Sequence, residues 1–351
     1  MIRLIRRVKE AKFMDYSSFR HTVGRVLALW LTASFAVPSC NRKPASETFS
    51  RGETSSPHET APTPRIVGRT NTTGTHVIVN QITTDEFPII RIFASVLEDG
   101  QPVRGVSASE FRVREDEVDQ ELLTVERELP PLSVVLTLDT SGSMKKSLAE
   151  AQAAAVRFID TLAANDSVQI VSFADEVRPL SAMITSRKPA KAAINSLNAR
   201  GNTALYDALH TSLSLLQNRS GRKAVVFLTD GYDDDGTARP ASKHKPKDVF
   251  TLARQTQVPV NVISIGADTD EAVLGQIAAE TGGLHLKAPD ASYLEQLYVQ
   301  LAEQLSAQCS ISYTTESPAE DGSERTVVLR YYPLSGSDRR SYTPPSALKQ
   351  R

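Results

Sequence analysis

Two runs, LSVVLTL at 132–138 and KAVVFLT at 223–229, are apolar at nearly every position, and an aspartate follows each at once, Asp139 and Asp230. A strand with one wet face alternates apolar and polar residues. A strand that is apolar throughout is covered on both faces, as inside a parallel sheet flanked by helices. VQIVSF at 168–173 and VNVISI at 260–265 have the same character, and a shorter strand is expected over 283–287. Between them, helical spacing of apolar residues marks 149–163, 205–217, 249–257, 271–280 and a closing amphipathic segment at 292–305. Residues 177–184 follow the strand at 168–173 so closely that they are expected to return antiparallel to it. Alternation of this kind implies an α/β domain over 130–308, built on a doubly wound, mostly parallel sheet.

The flanks are written differently. Over 66–128 the apolar runs are short and alternating, HVIVN at 76–80, IIRIFASV at 89–96, FRVR at 111–114 and LLTV at 122–125. After 308 the pattern returns as SISY at 310–313, a turn at Glu320-Asp321-Gly322, and RTVVLRYY at 325–332. A lone hairpin is marginal in water, so these late strands need a sheet to join. We expect residues 309–345 to complete a small immunoglobulin-like β-sandwich begun by 66–128, with the α/β domain inserted between its halves.

Ahead of both, Arg20, His21 and Arg25 lead into VLALWLTASFAV at 26–37, too short to span a bilayer and the right length for an export signal. Translation from Met1 or from Met14 would preserve it. VPSC at 37–40 resembles a bacterial lipobox, which implies lipidation of Cys40 and a tether to a membrane surface; cleavage after Ala36 is the alternative and would release a soluble protein. Residues 41–65, rich in Ser, Thr, Pro and Glu, read as a linker. The chain is expected in the cell envelope. Its 40 Lys+Arg against 41 Asp+Glu leave no basic field for nucleic acid, so a protein partner is favoured.

In a doubly wound sheet, ligands bind beyond the carboxyl ends of the strands, where strand order reverses. Three segments expected there carry oxygen donors: Asp139-Thr140-Ser141-Gly142-Ser143, Gly201-Asn202-Thr203 and Asp230-Gly231. Carboxylates and hydroxyls are hard ligands that suit Mg²⁺, Mn²⁺ or Ca²⁺, and the absence of His and Cys from these loops argues against zinc. Alternate spacing in Asp139-x-Ser141-x-Ser143 lets one turning loop aim three side chains at a point. Mg²⁺ takes six oxygens and keeps waters readily, so part of its shell must come from outside these side chains.

The same residues resemble the metal ion-dependent adhesion site of von Willebrand factor A and integrin I domains. By that resemblance Ser141 and Ser143 ligate directly, Thr203 ligates in the ligand-bound state, Asp139 and Asp230 act largely through water, and a Glu or Asp carboxylate of a partner completes the shell. The implied function is metal-dependent protein binding of the adhesion type, with one divalent cation, Mg²⁺ first. A metal-dependent hydrolase and a metal-stabilised structural subunit of an envelope complex are the alternatives. No catalytic residue is assigned, because neither His210 nor His285 stands beside a recognisable nucleophile. Asp233-Asp234-Asp235 read as a solvated acidic loop.

Overall fold

The computed structural model describes residues 65–67, 74–126 and 129–345; the export segment, Cys40 and the linker up to residue 64 lie outside the described residues. The chain begins with strands β1 (Arg65–Val67), β2 (Thr75–Glu86), β3 (Ile89–Glu98), β4 (Gln101–Pro102), β5 (Phe111–Glu115), β6 (Val118–Gln120) and β7 (Leu122–Glu126). An alternating series follows: β8 (Leu132–Asp139), α1 (Leu148–Thr161), β9 (Ser167–Phe173), β10 (Val177–Pro179), α2 (Arg187–Asn195), α3 (Leu205–Leu216) and β11 (Arg222–Thr229). It continues through α4 (Pro246–Thr256), β12 (Val260–Ile265), α5 (Glu271–Thr281), β13 (His285–Ala288) and α6 (Leu294–Ser306). Strands β14 (Cys309–Thr314), β15 (Arg325–Tyr331) and β16 (Gly336–Tyr342) close the fold.

The largest sheet has the order β1-β13-β12-β11-β8-β9-β10. Its five inner strands run parallel and its two edges antiparallel. Every residue of β8 and β11 is buried, which accounts for their unbroken apolar character. One face packs against α1, α2 and α6, where Ala154, Phe158, Ile194, Leu297 and Leu301 meet Val134, Leu136 and Val226. The other packs against α3, α4 and α5, where Leu209, Leu213, Val249 and Ile277 meet Val135, Val225 and Val262. From β8 the chain moves outward to β9 and then returns on β8's other side as β11, so strand order reverses between β8 and β11. These two strands lie in register from Arg222 opposite Leu132 to Leu228 opposite Leu138, and this brings Asp139 and Asp230 to the same end of the sheet.

Three local features differ from expectation. Helix α2 was not legible: Arg187, Lys188 and Lys191 obscure its short apolar stripe, and Pro189 falls in the first turn, where a missing N–H costs no helical bond. Residues Arg65–Val67, expected to belong to the linker and the sandwich, instead pair antiparallel with β13 and cover an edge of the α/β sheet. The returning strand is short, Val177–Pro179, with one further bridge from Ile184 to Val168.

Two smaller sheets interleave strands from both flanks of the α/β region. One has the order β2-β3-β14-β7, with β4 on β3, and the other β16-β15-β5-β6. They share one apolar cluster, in which Ile82, Ile92, Ile311 and Tyr313 meet Phe111, Val113, Val327 and Leu329. Strands β14 and β15 sit in different sheets, so 310–313 and 325–331 do not pair as a hairpin; each finds a partner from the first half of the chain. A fully buried polar group ties the sheets together: Glu115 accepts hydrogen bonds from the Tyr313 hydroxyl at 2.6 Å and the Thr315 hydroxyl at 2.7 Å, and faces Arg325 at 3.4 Å.

The β layers also grip the base of the α/β sheet. The Gln81 amide donates to the Gly221 carbonyl at 2.8 Å and its oxygen accepts from the Lys223 N–H at 2.9 Å, while Asp85 accepts from the Gly221 N–H at 2.8 Å. Ile78 and Leu97 enter the apolar cluster beneath α6. At Gly282, with φ of +76°, a Cβ would lie 2.4 Å from the Val79 carbonyl oxygen, so the approach of β2 requires glycine there.

Candidate metal centre

Asp139, the last residue of β8, is fully buried, and its carboxylate accepts hydrogen bonds from the Ser141 N–H at 2.8 Å and the Thr229 hydroxyl at 2.7 Å. The loop then turns so that the Ser141 and Ser143 hydroxyl oxygens stand 3.0 Å apart. Ser143 donates in turn to Oδ1 of Asp230 at 2.8 Å. Because Ser143 donates its hydroxyl hydrogen to Asp230, its oxygen keeps, beyond the contact with Ser141, a lone pair to face a cation. A continuous polar chain therefore links the ends of β8 and β11.

Thr203 is delivered by a separate device. The Gly142 N–H donates to the Gly201 carbonyl and the Arg200 N–H to the Thr140 carbonyl, both at 2.8 Å, lashing the 200–203 loop to the first loop. Gly201 has a φ of +79°, and a Cβ there would lie 1.9 Å from Oδ2 of Asp175. The other oxygen of Asp175 accepts the Asn202 N–H at 3.0 Å. Thr203 then exchanges backbone hydrogen bonds with Asp234, at 3.0 and 3.2 Å, and its hydroxyl lies 3.9 Å from the position a Cβ on Gly231 would take. The structure thus places Asp139, Ser141, Ser143 and Asp230 in one hydrogen-bonded set, with Thr203 beside it.

Electrostatics set these groups apart from ordinary surface acids. Burial pushes the Asp139 carboxyl up to about 6, against the opposing hydrogen bonds from Ser141 and Thr229. Burial also raises Asp230, opposed by the Ser143 hydrogen bond and reinforced by the charge of Asp268. Neither carboxylate makes an ion pair with a basic side chain among the described residues. Two converging carboxylates, one of them out of water, with hydroxyl oxygens between them and no basic partner, form a donor set that fits a hard divalent cation.

Asp175, Thr229 and Asp268 escaped the sequence reading because none lies inside a motif; only the fold brings them here. The acidic triplet stays partly in solvent, and each of its members also accepts backbone hydrogen bonds. Asp233 accepts from the Leu205 N–H at 2.9 Å, at the start of α3, and also from the Ser242 hydroxyl. Asp234 accepts from the Gly236 and Ala238 N–H groups at 2.9 and 3.0 Å, and Asp235 from the Thr237 N–H at 2.8 Å. The three acids organise the loop that carries Asp230. His210 stacks on His244, with ring centroids 3.7 Å apart, and His244 contacts Asp207 at 2.7 Å; His285 is buried against Ser264 at 2.8 Å. None of these histidines joins the centre.

Comparison with known proteins agrees with the fold. A UPF0353 protein of Mycolicibacterium vanbaalenii is 26% identical over 204 residues, covering 49% of this chain and 60% of that protein. A related protein of Mycobacterium tuberculosis is 24% identical over 204 residues, with the same coverage. The chain thus spans about 60% of the length of the curated relatives it matches. Among solved structures, a von Willebrand factor type A protein from Catenulispora acidiphila is 14% identical and covers 80% of this chain and 76% of its own, with a TM-score of 0.45. Proximal thread matrix protein 1 from the mussel byssus, described with a zinc-occupied MIDAS motif, is 18% identical over 54% of this chain and 49% of its own, with a TM-score of 0.46. Residues 133–300, just under half of the chain, match the profile of the von Willebrand factor type A domain, so the α/β region is a domain of that family.

Proposed function

We propose that this chain is a metal-dependent binding module of the cell envelope that grips an acidic residue of a partner protein through one divalent cation. Von Willebrand factor type A domains mediate protein–protein interaction and adhesion. The observation that carries the reading here is the hydrogen-bonded set Asp139–Ser141–Ser143–Asp230 with Thr203 beside it. These five residues would hold the ion. When bound, the cation supplies a Lewis-acidic position for a partner's carboxylate, with Mg²⁺ first and Mn²⁺ or Ca²⁺ as substitutes. Asp230 holds the Ser143 hydroxyl by its hydrogen, and Asp139 holds the turning loop through the Ser141 N–H. Gly201 and Asp175 fix the height at which Thr203 is offered. The two carboxylates neutralise the dication, so a third anion stays only when the rest of its protein adds contacts; that selects a folded partner over free acetate.

Export through 26–37 and lipidation at Cys40 belong to the same proposal and would hold the module at a membrane surface. Calorimetric titration of the chelator-stripped protein with Mg²⁺, Mn²⁺, Ca²⁺ and Zn²⁺ tests the centre. One saturable site for a hard cation, lost in Asp139→Ala with the fold retained, is the expected result. No binding of any of the four, with or without added carboxylate, overturns it.

A further inference from the structure

At the end of the α/β domain opposite the metal centre, a 250 Å³ cavity opens between the end of α1, the last turn of α6 and the first residues of β8 and β11. Leu129, Leu132, Leu162, Ala163, Ala302 and Leu305 line it, together with Asp166 and Arg222. Arg222 is the unusual member. Only 6% of it is exposed, and its Nε is buried without a hydrogen-bond partner. It makes no ion pair among the described residues. Asp166, the one acid lining the cavity, is already engaged: its carboxylate accepts the Leu132 N–H at 2.7 Å and the Ala163 N–H at 2.9 Å.

We propose that this cavity binds a small organic monocarboxylate, its charged head on Arg222 and a short apolar body among the leucines and alanines. An arginine retains its proton even here: burial lowers Arg222 only to about 10, with Asp166 acting against the shift. The Asp166 charge offsets the burial of this guanidinium only in part and makes no ion pair with it, and an anion carrying two acceptor oxygens would remove the remaining cost. The nearby Asp166 carboxylate selects for a single negative charge and against a phosphate dianion. The apolar lining rewards a hydrocarbon tail, and the volume limits it to a short one. The site lies at the opposite end of the sheet from the metal centre and does not depend on it.

The test is titration of hexanoate, hexanamide and inorganic phosphate into the full chain in the presence of chelator, followed by calorimetry and by thermal denaturation. Saturable hexanoate binding is expected, about tenfold tighter than the isosteric amide, as a charge-assisted contact requires, with phosphate weaker still. Arg222→Met should erase the preference for acid over amide while leaving the amide's affinity unchanged. Ala302→Leu, which fills the cavity and keeps the arginine, should weaken both ligands. Equal affinity for acid and amide, hexanoate binding indifferent to Arg222→Met, or a flat titration that marks a merely water-filled cavity would each overturn the proposal.

Discussion

Removing the charge of Asp139 while preserving its shape should stabilise the metal-free protein at neutral pH and abolish its response to metal. In the fold, burial pushes this carboxyl up to about 6, against 3.8 for the exposed group. The folded state therefore holds the proton more tightly than the unfolded state does. The stability contributed by this group is fully present below pH ~4 and is lost as pH rises through ~6. The whole difference, roughly two pK units, is worth about 3 kcal/mol, of which roughly 1.4 kcal/mol falls between pH 5 and pH 7.5. In Asp139→Asn the side-chain oxygen still accepts the Ser141 N–H, and the amide can donate to the Thr229 hydroxyl, so both contacts survive the exchange. Urea denaturation in chelator across that pH range, wild type against variant, isolates the group. The variant should gain on the wild type steadily as pH rises. Saturating Mg²⁺ at about a hundred times its Kd should then add roughly 2.7 kcal/mol to the wild type alone. A stability difference that is flat with pH, or a variant that still responds to Mg²⁺, would refute an uncompensated buried carboxylate as the basis of the site.

Other outcomes follow from the same geometry. Gly201→Ala should cost about 1–3 kcal/mol in urea denaturation and weaken metal affinity in calorimetry, because both the positive φ and the Asp175 carboxylate exclude a Cβ. Adding Asp175→Ala should recover the steric part only. Arg325→Met strands the Glu115 carboxylate among Tyr313 and Thr315, and should lower stability by about 3–5 kcal/mol, whereas the double variant with Glu115→Gln should recover much of it. Asp233→Ala removes the acceptor of the Leu205 N–H at the start of α3 and should cost about 1 kcal/mol, read by thermal denaturation, with a smaller effect on metal affinity than Asp230→Ala.

What could be read in advance followed the physics of each signal. Unbroken apolar runs belong to strands covered on both faces, so β8, β9, β11 and β12 stood out, and two of the three candidate loops, at Asp139 and Asp230, could be placed because each starts where such a run stops, while the third was placed by the helix that follows it. The 3.6-residue period did the same for α1, α3 and α6. Helix α2 escaped because it buries little beyond Ala190 and Ile194, which leaves too narrow a stripe for periodicity to register. The pairing of Arg65–Val67 with β13 escaped because three residues carry no pattern at all. In the candidate metal centre, the five motif residues were legible as hard donors on three loops. Asp175 and Thr229 were not, since an acid that excludes a Cβ from Gly201 and a threonine that donates to a buried carboxylate acquire those roles only when distant segments meet. The capping role of the acidic triplet was hidden for a related reason: charge in a run says nothing about which backbone N–H groups it will cap.

The placement of β14 between β3 and β7 also fixes an order of events in folding. β7 ends at Glu126 and β14 begins at Cys309, so the smaller sheet cannot be finished until the whole α/β region has been made. Closing a flexible loop of about 180 residues costs roughly 4–5 kcal/mol, against about 1.5 kcal/mol for a loop of a few residues. If the inserted domain folds first, its entry at Leu132 and its exit at Leu305 are brought to the walls of one cavity, and the long closure becomes a short one. The β layers therefore depend on the inserted domain for their assembly rate. A lesion in the α/β core should surface first as unpaired edges on β3 and β7, the kind of exposed edge on which chains aggregate while still being made.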